Sequence, residues 1–256
     1  MTVLELYERL DEGIPRALSC EWDNDGLMCC AAPDREVRRV LVALDVTSAV
    51  VDEAIEGGYD LIVSHHPLVF RPLRAMEPSD PVAKKCIRLL LAGIAVMSFH
   101  TRLDAVDGGV NDTLAAALGL NNVAPFVGDD GCAIGRVGEL ESPISLEDFA
   151  ATVKRVTGAG AVSYTDAGRK VFRVALLGGS GSDEVRAAER TGADTYLSGE
   201  IAHHHMTDAP ERGMNLVAAG HYDTEQPVTR RLRELLLDCD ATLDVHVTES
   251  NPIKTI

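Results

Sequence analysis

One pattern occurs twice in this chain, and the repeat limits the fold more than any other feature. Arg39-Val40-Leu41-Val42-Ala43-Leu44 is followed by Ala54, Gly58, Asp60 and Ser64. The residues 134 positions later are Arg173-Val174-Ala175-Leu176-Leu177-Gly178, then Ala188, Gly192, Asp194 and Ser198. The order strand, helix, Gly, Asp, strand, Ser recurs without a gap. Further on, Ala95-Val96-Met97-Ser98-Phe99-His100 faces Leu216-Val217-Ala218-Ala219-Gly220-His221 at an offset of 121. Two copies of one α/β unit are the simplest account. A pseudo-twofold relation follows, with any shared site lying between the copies.

Short β-branched runs alternate with helical segments in each copy, which predicts parallel strands with helices on their faces. Val40–Val46 and Leu61–Ser64 read as buried strands, Ile94–Ser98 as a third. Thr47–Gly57, Pro81–Ala92 and Val110–Leu118 read as helices, the first stopped by Gly57-Gly58. Thr2 and Glu5 have the spacing of a capping box for an opening helix. Asn121–Lys170 joins the copies and holds a helix over Ser145–Val156. Val228–Leu237 is the helix that completes the second copy, and Leu243–Thr248 alternates as a terminal strand. The expected domains are 1–124, with the strand at about 241–256 packing back on it, and 125–240.

Charge and apolar content exclude several classes. The formal net charge of −16 disfavours nonspecific nucleic-acid or anionic-membrane binding. No apolar run approaches the roughly 18 residues of a membrane span. The acidic start lacks the basic and apolar regions of a signal peptide, so the expected location is cytoplasmic. Six cysteines without a C-x-x-C pair suit reduced thiols. Cys29-Cys30 is a weak redox or metal candidate, because neighbours on a strand face opposite ways.

The strand Asp60-Leu61-Ile62-Val63-Ser64 ends in His65-His66-Pro67. Strand tips are where α/β proteins place chemistry, and Pro67 cannot continue the ladder. The pair reads either as metal ligands or as a hydrogen-bonded structural pair. The matching tip in the second copy is Gly199-Glu200. Third strands end in His100-Thr101-Arg102-Leu103-Asp104 and in His221-Tyr222-Asp223-Thr224-Glu225, so a His-x-x-x-carboxylate pattern recurs. Imidazole with carboxylate suits a divalent transition metal, and one carboxylate can bridge two ions. Against this, Asp104 and Asp107 could cap the helix at Val110, and Glu225 could be a first-turn carboxylate. Of His203-His204-His205, not all three can face one ion. Arg102 suits an anionic group or a surface ion pair, and His246 reads as structural. Gly178-Gly179-Ser180-Gly181-Ser182 fits a phosphate cradle or simply a tight turn.

Several of these motifs together resemble a known family. They are Trp22-Asp23-Asn24-Asp25-Gly26-Leu27, Ser64-His65-His66-Pro67, His100-Thr101-Arg102-Leu103-Asp104 and Gly108-Gly109-Val110-Asn111-Asp112. Ser198-Gly199-Glu200 with His203-His204, and Gly220-His221-Tyr222-Asp223-Thr224-Glu225, complete the set. The chain resembles, from its first helix to Asn251-Pro252, the dinuclear-metal proteins related to NGG-interacting factor three, named GTP cyclohydrolase 1 type 2 homologues. The resemblance implies an α/β chain of two similar repeats, three-layer αβα lobes with a dinuclear metal site between them, assembled as a toroidal homohexamer. The short connector implies that the inserted domain of longer members is missing. The metal ligands it implies are His65, His66, Asp104, His221 and Glu225. They would hold two divalent ions per chain, with Zn, Fe, Mn, Ni and Mg not distinguished. His100, which the repeat makes a ligand and the family does not, is kept with Glu200, His203 and His204 as a candidate catalytic residue.

The implied activity is metal-dependent hydrolysis, with GTP ring opening resting on the resemblance alone. The implied partner is a small molecule such as a nucleotide; membrane and nucleic acid are not expected. The alternatives are a non-catalytic metal-binding oligomeric scaffold, or a hydrolase of another phosphorylated or amide substrate.

Overall fold

A computed structural model describes residues 1–254. In chain order the elements are α1 (Val3–Gly13), β1 (Gly26–Cys29), β2 (Arg39–Ala43), α2 (Ser48–Glu56), β3 (Leu61–Ser64), α3 (Pro81–Ala92), β4 (Ala95–Ser98) and α4 (Thr101–Ala105). Then come α5 (Val110–Ala117), β5 (Asn121–Phe126), β6 (Gly135–Ile144), α6 (Leu146–Thr157), β7 (Ser163–Thr165), β8 (Val171–Ser180) and α7 (Val185–Arg190). The remainder is β9 (Thr195–Glu200), α8 (His203–Glu211), β10 (Asn215–Ala218), α9 (His221–Glu225), α10 (Val228–Cys239) and β11 (Asp244–Val247).

The chain forms two compact units, Met1–Leu103 with Val228–Pro252, and Asp104–Pro227. The sheet of the first has the order β1-β4-β3-β2-β11, with β1 alone antiparallel to its neighbour. Residues of α2 and α3 pack with Leu41, Ile62 and Val96 on one face. On the same sheet α10 packs against β2, β11 and α1. The sheet of the second unit has the order β5-β6-β8-β9-β10-β7, with β8, β9 and β10 parallel. Leu114 of α5 and Phe149 of α6 join Leu176 and Leu197 in one core. Val185 of α7 and Ala209 of α8 join Ala175 and Leu177 in another. The class is therefore α/β, in two lobes that carry the repeat.

These boundaries differ from 1–124 and 125–240. The helix α5 follows the first copy but covers the second sheet, while α10 follows the second copy and covers the first. Burial decides this: Leu232 and Leu236 of α10 are fully enclosed, as is Leu114 of α5. The connector also contributes β5, β6 and β7 to the second sheet, beyond the one helix expected there.

Two carboxylates, Asp60 half-buried and Asp194 buried, account for the repeat. Asp60 accepts the amides of Arg38 and Arg39 at 3.0 Å each. Asp194 accepts those of Phe172 and Arg173 at 3.0 and 2.7 Å, the same bonds 134 residues on. Each aspartate closes the gap between the start of one strand and its neighbour, satisfying donors the ladder would leave open. Even the arginines match: Arg39 donates to the Gly57 carbonyl and Arg173 to that of Thr191.

The third strand corrects the register assumed above. Leu61 pairs with Ala95, and its counterpart Thr195 pairs with Asn215, so the offset is 120 rather than 121. Thr101 and His221 each open a helix, and His100 stands where the second copy has Gly220. His100 and His221 are not structural equivalents. Nor are Asp104 and Glu225.

Free thiols among the described residues are Cys29, Cys30, Cys86 and Cys239. Cys20 and Cys132 are disulfide-bonded, contrary to the expectation of six reduced thiols. Burial, with Cys86 and Cys30 nearby, pushes the Cys29 thiol up to about 12, which makes it inert at neutral pH.

Asp194→Ala should cost about 2 kcal/mol of unfolding free energy, because two partly buried amides lose a buried acceptor. Asp60→Ala should cost less, since water reaches its partly exposed side chain. Urea titrations of the two variants give the comparison.

Candidate metal centre

In the first unit, β3 runs through four buried residues and delivers His65 and His66 at its tip. His65 is fully buried, and its Nδ1 donates to the Phe99 carbonyl at 3.0 Å. His66 Nδ1 donates to Asp45 Oδ1 at 2.8 Å. His100 lies just before α4, and its Nδ1 donates to Asp23 Oδ1 at 2.8 Å. An acceptor at Nδ1 fixes the tautomer and leaves the Nε2 lone pair for a ligand. The three imidazoles offer ligand atoms within 4.8 Å of one another, close enough for one ion.

Asp23 is the hub of this half. Its carboxylate also accepts the Thr101 amide at 3.0 Å and the Thr101 hydroxyl at 2.6 Å. Burial pushes the Asp23 carboxyl up, yet its hydrogen bond and proximity to His100, with the two Thr101 bonds, hold it at about 2. Asp25 accepts the His100 amide at 3.3 Å and Arg102 Nε at 3.0 Å. Arg102 is fully buried among Asp25, Asp11, Tyr7 and the Ile14 carbonyl. It is thus neither a surface ion pair nor a group presented to a ligand.

The second unit shows the same pattern once. His221 opens α9, and its Nδ1 donates to Glu200 Oε2 at 3.2 Å. Its Nε2 lies 3.1 Å from Glu225 Oε2, one helical turn on. Glu225 is buried at the end of α9 rather than exposed in the first turn of α10. Asp104 is buried as well, and α5 takes no side-chain cap from it or from Asp107. Its carbonyl accepts Asn111 Nδ2 at 3.4 Å, and Asn111 Oδ1 takes the Gly178 amide at 2.8 Å. The capping explanations of both carboxylates therefore fail.

The glycine run at Gly178-Gly179 serves His221 and Glu225, not phosphate. Gly179 has φ +67°, and a Cβ there would collide with Glu225 Oε1 and approach His221 Nε2 to 3.1 Å. Its amide donates to Thr224 Oγ1 at 3.0 Å, which seats α9 against β8. Of the other candidates, His203 and His204 are exposed on the first turn of α8, with the His204 ring against that of His205. Burial, with His204 beside it, pushes the His205 pKa down. His246 is exposed and bonded to Asp244, a structural role as expected.

The roles of Asp23, Asp45 and Gly179 are not visible in the sequence. Asp45 could have been found, since it follows the β2 run as His66 follows the β3 run, on the adjacent parallel strand.

Comparison with known proteins places the chain. Residues 1–255 match the family described as Duf34/NIF3 (NGG1p interacting factor 3). The chain belongs to that family. A GTP cyclohydrolase 1 type 2 homolog of Clostridium perfringens is 32% identical, with both chains covered in full. The Protein NIF3 homolog of Schizosaccharomyces pombe is 34% identical over 82% of this chain and 79% of its own. Among solved structures, Staphylococcus aureus hypothetical protein SA1388 superposes with a TM-score of 0.90 at 28% identity, covering 100% of this chain and 99% of that one. A Bacillus cereus protein related to NIF3 gives 0.88 at 26% identity, with 100% and 99% covered. The histidine and carboxylate donors brought together here suit divalent metals. Among the described residues no helix is long and apolar enough to cross a membrane.

Gly179→Ala should leave the fold in place at a cost of about 1 kcal/mol. It should weaken divalent-metal binding about tenfold or more by displacing Glu225, read by calorimetric titration. A second expectation concerns acid. A carboxyl held below its ordinary value of 3.8 stabilises the fold above that value and loses the contribution as pH falls towards about 2. Asp23→Asn should flatten the stability profile between about pH 4 and 2, measured by denaturation at each pH.

Proposed function

We propose that this NIF3-family chain is a dinuclear metal-dependent hydrolase. His65, His66, Asp104, His221 and Glu225 would hold two divalent ions. The observation that carries the reading is the shared imidazole geometry. His65, His66, His100 and His221 each have Nδ1 on a protein acceptor, the arrangement that prepares Nε2 for a metal or a proton. A purely structural histidine has no need of this uniformity.

When bound, the ions supply Lewis acidity and a water nucleophile at neutral pH. The chain's own residues do the rest. Asp23 and Asp45 fix the rings of His100 and His66, so neither reorganises during a reaction. His100 Nε2, outside the ligand set, takes a proton from the attacking water or returns one to the leaving group. Glu200 fixes the ring of His221. His203 and His204, being exposed, would reach substrate from the first turn of α8.

The names of the relatives point to GTP, with hydrolytic opening of its imidazole ring. A homohexamer, toroidal in form, belongs to the same proposal. His65→Ala and Glu225→Ala should each lower bound metal from two ions per chain. Elemental analysis with light scattering reads the metal content and the number of 27.4 kDa chains together. Metal-loaded protein should consume GTP, and chelation should stop it. Unchanged metal in both variants would sink the ligand set; turnover that survives chelation would sink the mechanism.

A further inference from the structure

Trp22 and Phe70 stand beside the histidines of the first unit with 54% and 43% of their surfaces exposed. With His100 they form a triangle of rings. Centroids lie 6.2 Å apart for Trp22–Phe70, 6.2 Å for Trp22–His100 and 5.9 Å for Phe70–His100. The three ring planes meet at 77°, 74° and 88°. Three nearly perpendicular rings make a corner, in which a flat molecule can lie on one face with its edge towards another.

Polar anchors hold this corner rigid. Asn24 Nδ2 donates to the Val69 carbonyl at 2.5 Å, tying the Trp22 turn to the Phe70 loop. On its other side the turn is tied to His100 and Thr101 through Asp23. Scattered exposed apolar residues are ordinary. Two large aromatics fixed in mutual geometry next to three histidines are a prepared surface.

Charge and hydrogen bonding narrow the occupant. Arg71 and Arg74 follow Phe70 on the same loop and are exposed. Arg35, Arg38, Arg39 and Arg88 of this unit each pair with a carboxylate, whereas Arg71 and Arg74 have no such partner among the described residues. In a chain of net charge −16, an unpaired cationic pair beside aromatics suits an anion. His100 gives its Nδ1 hydrogen to Asp23, so its Nε2 accepts and calls for an N–H on the ligand edge.

We propose that Trp22, Phe70 and His100 form a subsite for a planar heteroaromatic ring with N–H donors on its edge and an anionic substituent met by Arg71 and Arg74. A purine nucleotide has this chemistry. The inference deepens the hydrolase reading and rests on it only for the ring's orientation, edge towards His65 and His66.

Trp22 is the only tryptophan of the chain, so its emission reports the corner directly. The full chain, freed of metal by chelation, would be titrated with GTP, guanosine and inorganic tripolyphosphate, with free tryptophan as the absorption control. GTP and guanosine should quench saturably and tripolyphosphate should not. Phe70→Ala should weaken both ring-bearing probes about tenfold, the loss expected for one stacking partner. Phe70→Leu, which keeps apolar bulk without a ring, should weaken them too, and circular dichroism checks the fold of each variant. Arg71→Ala with Arg74→Ala should weaken GTP and spare guanosine. Absence of saturable quenching, or unchanged affinity in both Phe70 variants, would overturn the subsite. So would emission that follows protein concentration instead of probe, because a second copy would then cover the corner. Binding without turnover in metal-loaded protein would refute the hydrolase and leave the subsite standing. Turnover without quenching would do the reverse.

Discussion

A guanidinium with no exposed surface cannot shed its charge, and Arg102 imposes that constraint on the first unit. Burial opposes its charge, yet Tyr7, Asp25 and Asp11 outweigh it and push the Arg102 pKa up. Its ring-like plane also sits 4.5 Å from the Phe99 centroid. Removing one partner of such a buried pair typically costs about 3–5 kcal/mol, so these groups must arrive together. They come from α1, the turn after Trp22 and the corner between β4 and α4. The last two of those segments hold histidines directly, through Asp23 on His100 and the Phe99 carbonyl on His65. The second unit repeats the device with Arg136, which is buried against Asp112 and takes the carbonyls of Ala105 and Val106 at the end of α4. Rigid placement of the donors is thus a by-product of satisfying two buried cations.

The core of each sheet was legible because its signals are local and redundant. β3 and α3 fall on the residues read from the sequence, and Thr2 with Glu5 forms the expected capping box, while Thr47 and Ser145 cap α2 and α6. The antiparallel strands β5 and β6, outside the parallel core of the second sheet, were not legible. β5 is exposed along most of its length and contains Pro125, and β6 ends in a polar stretch with Pro143. β5 and the polar end of β6 are held by pairing with a neighbour and offer no apolar alternation of their own, so composition hides them. The assignment of α5 and α10 failed for another reason. A repeat says that two helices are alike, but only burial says which sheet each one covers.

Register explains the one misreading that touched the site. An alignment of His100 with His221 rests on a histidine and a carboxylate that recur four positions apart in both segments. Side-chain identity outvoted a one-residue shift that only the strand pairing reveals, Ser64 with Ser98 against Ser198 with Ala218. With the offset at 120, the tension over His100 disappears: no symmetry requires it to behave as His221 does. It sits one position earlier, outside the helix, bonded to Asp23 and open to the aromatic corner.

The duplicated framework makes one further comparison possible. Asp45 and Gly179 occupy matching positions 134 residues apart, Asp45 just beyond β2 and Gly179 near the end of β8. In the first unit that place holds a carboxylate that orients His66. In the second it holds a residue without a side chain, in a left-handed conformation, because the carboxylate of Glu225 enters from α9 and fills the space. Both solutions set an acid beside an imidazole, one from the strand tip and one from the following helix. Either solution excludes the other, since an aspartate at position 179 would meet Glu225 directly. The two arrangements therefore start from one backbone geometry but cannot be interchanged. That asymmetry gives the first unit three anchored imidazoles and the second an imidazole–carboxylate pair, a division of donors that a strictly symmetric duplication could not provide.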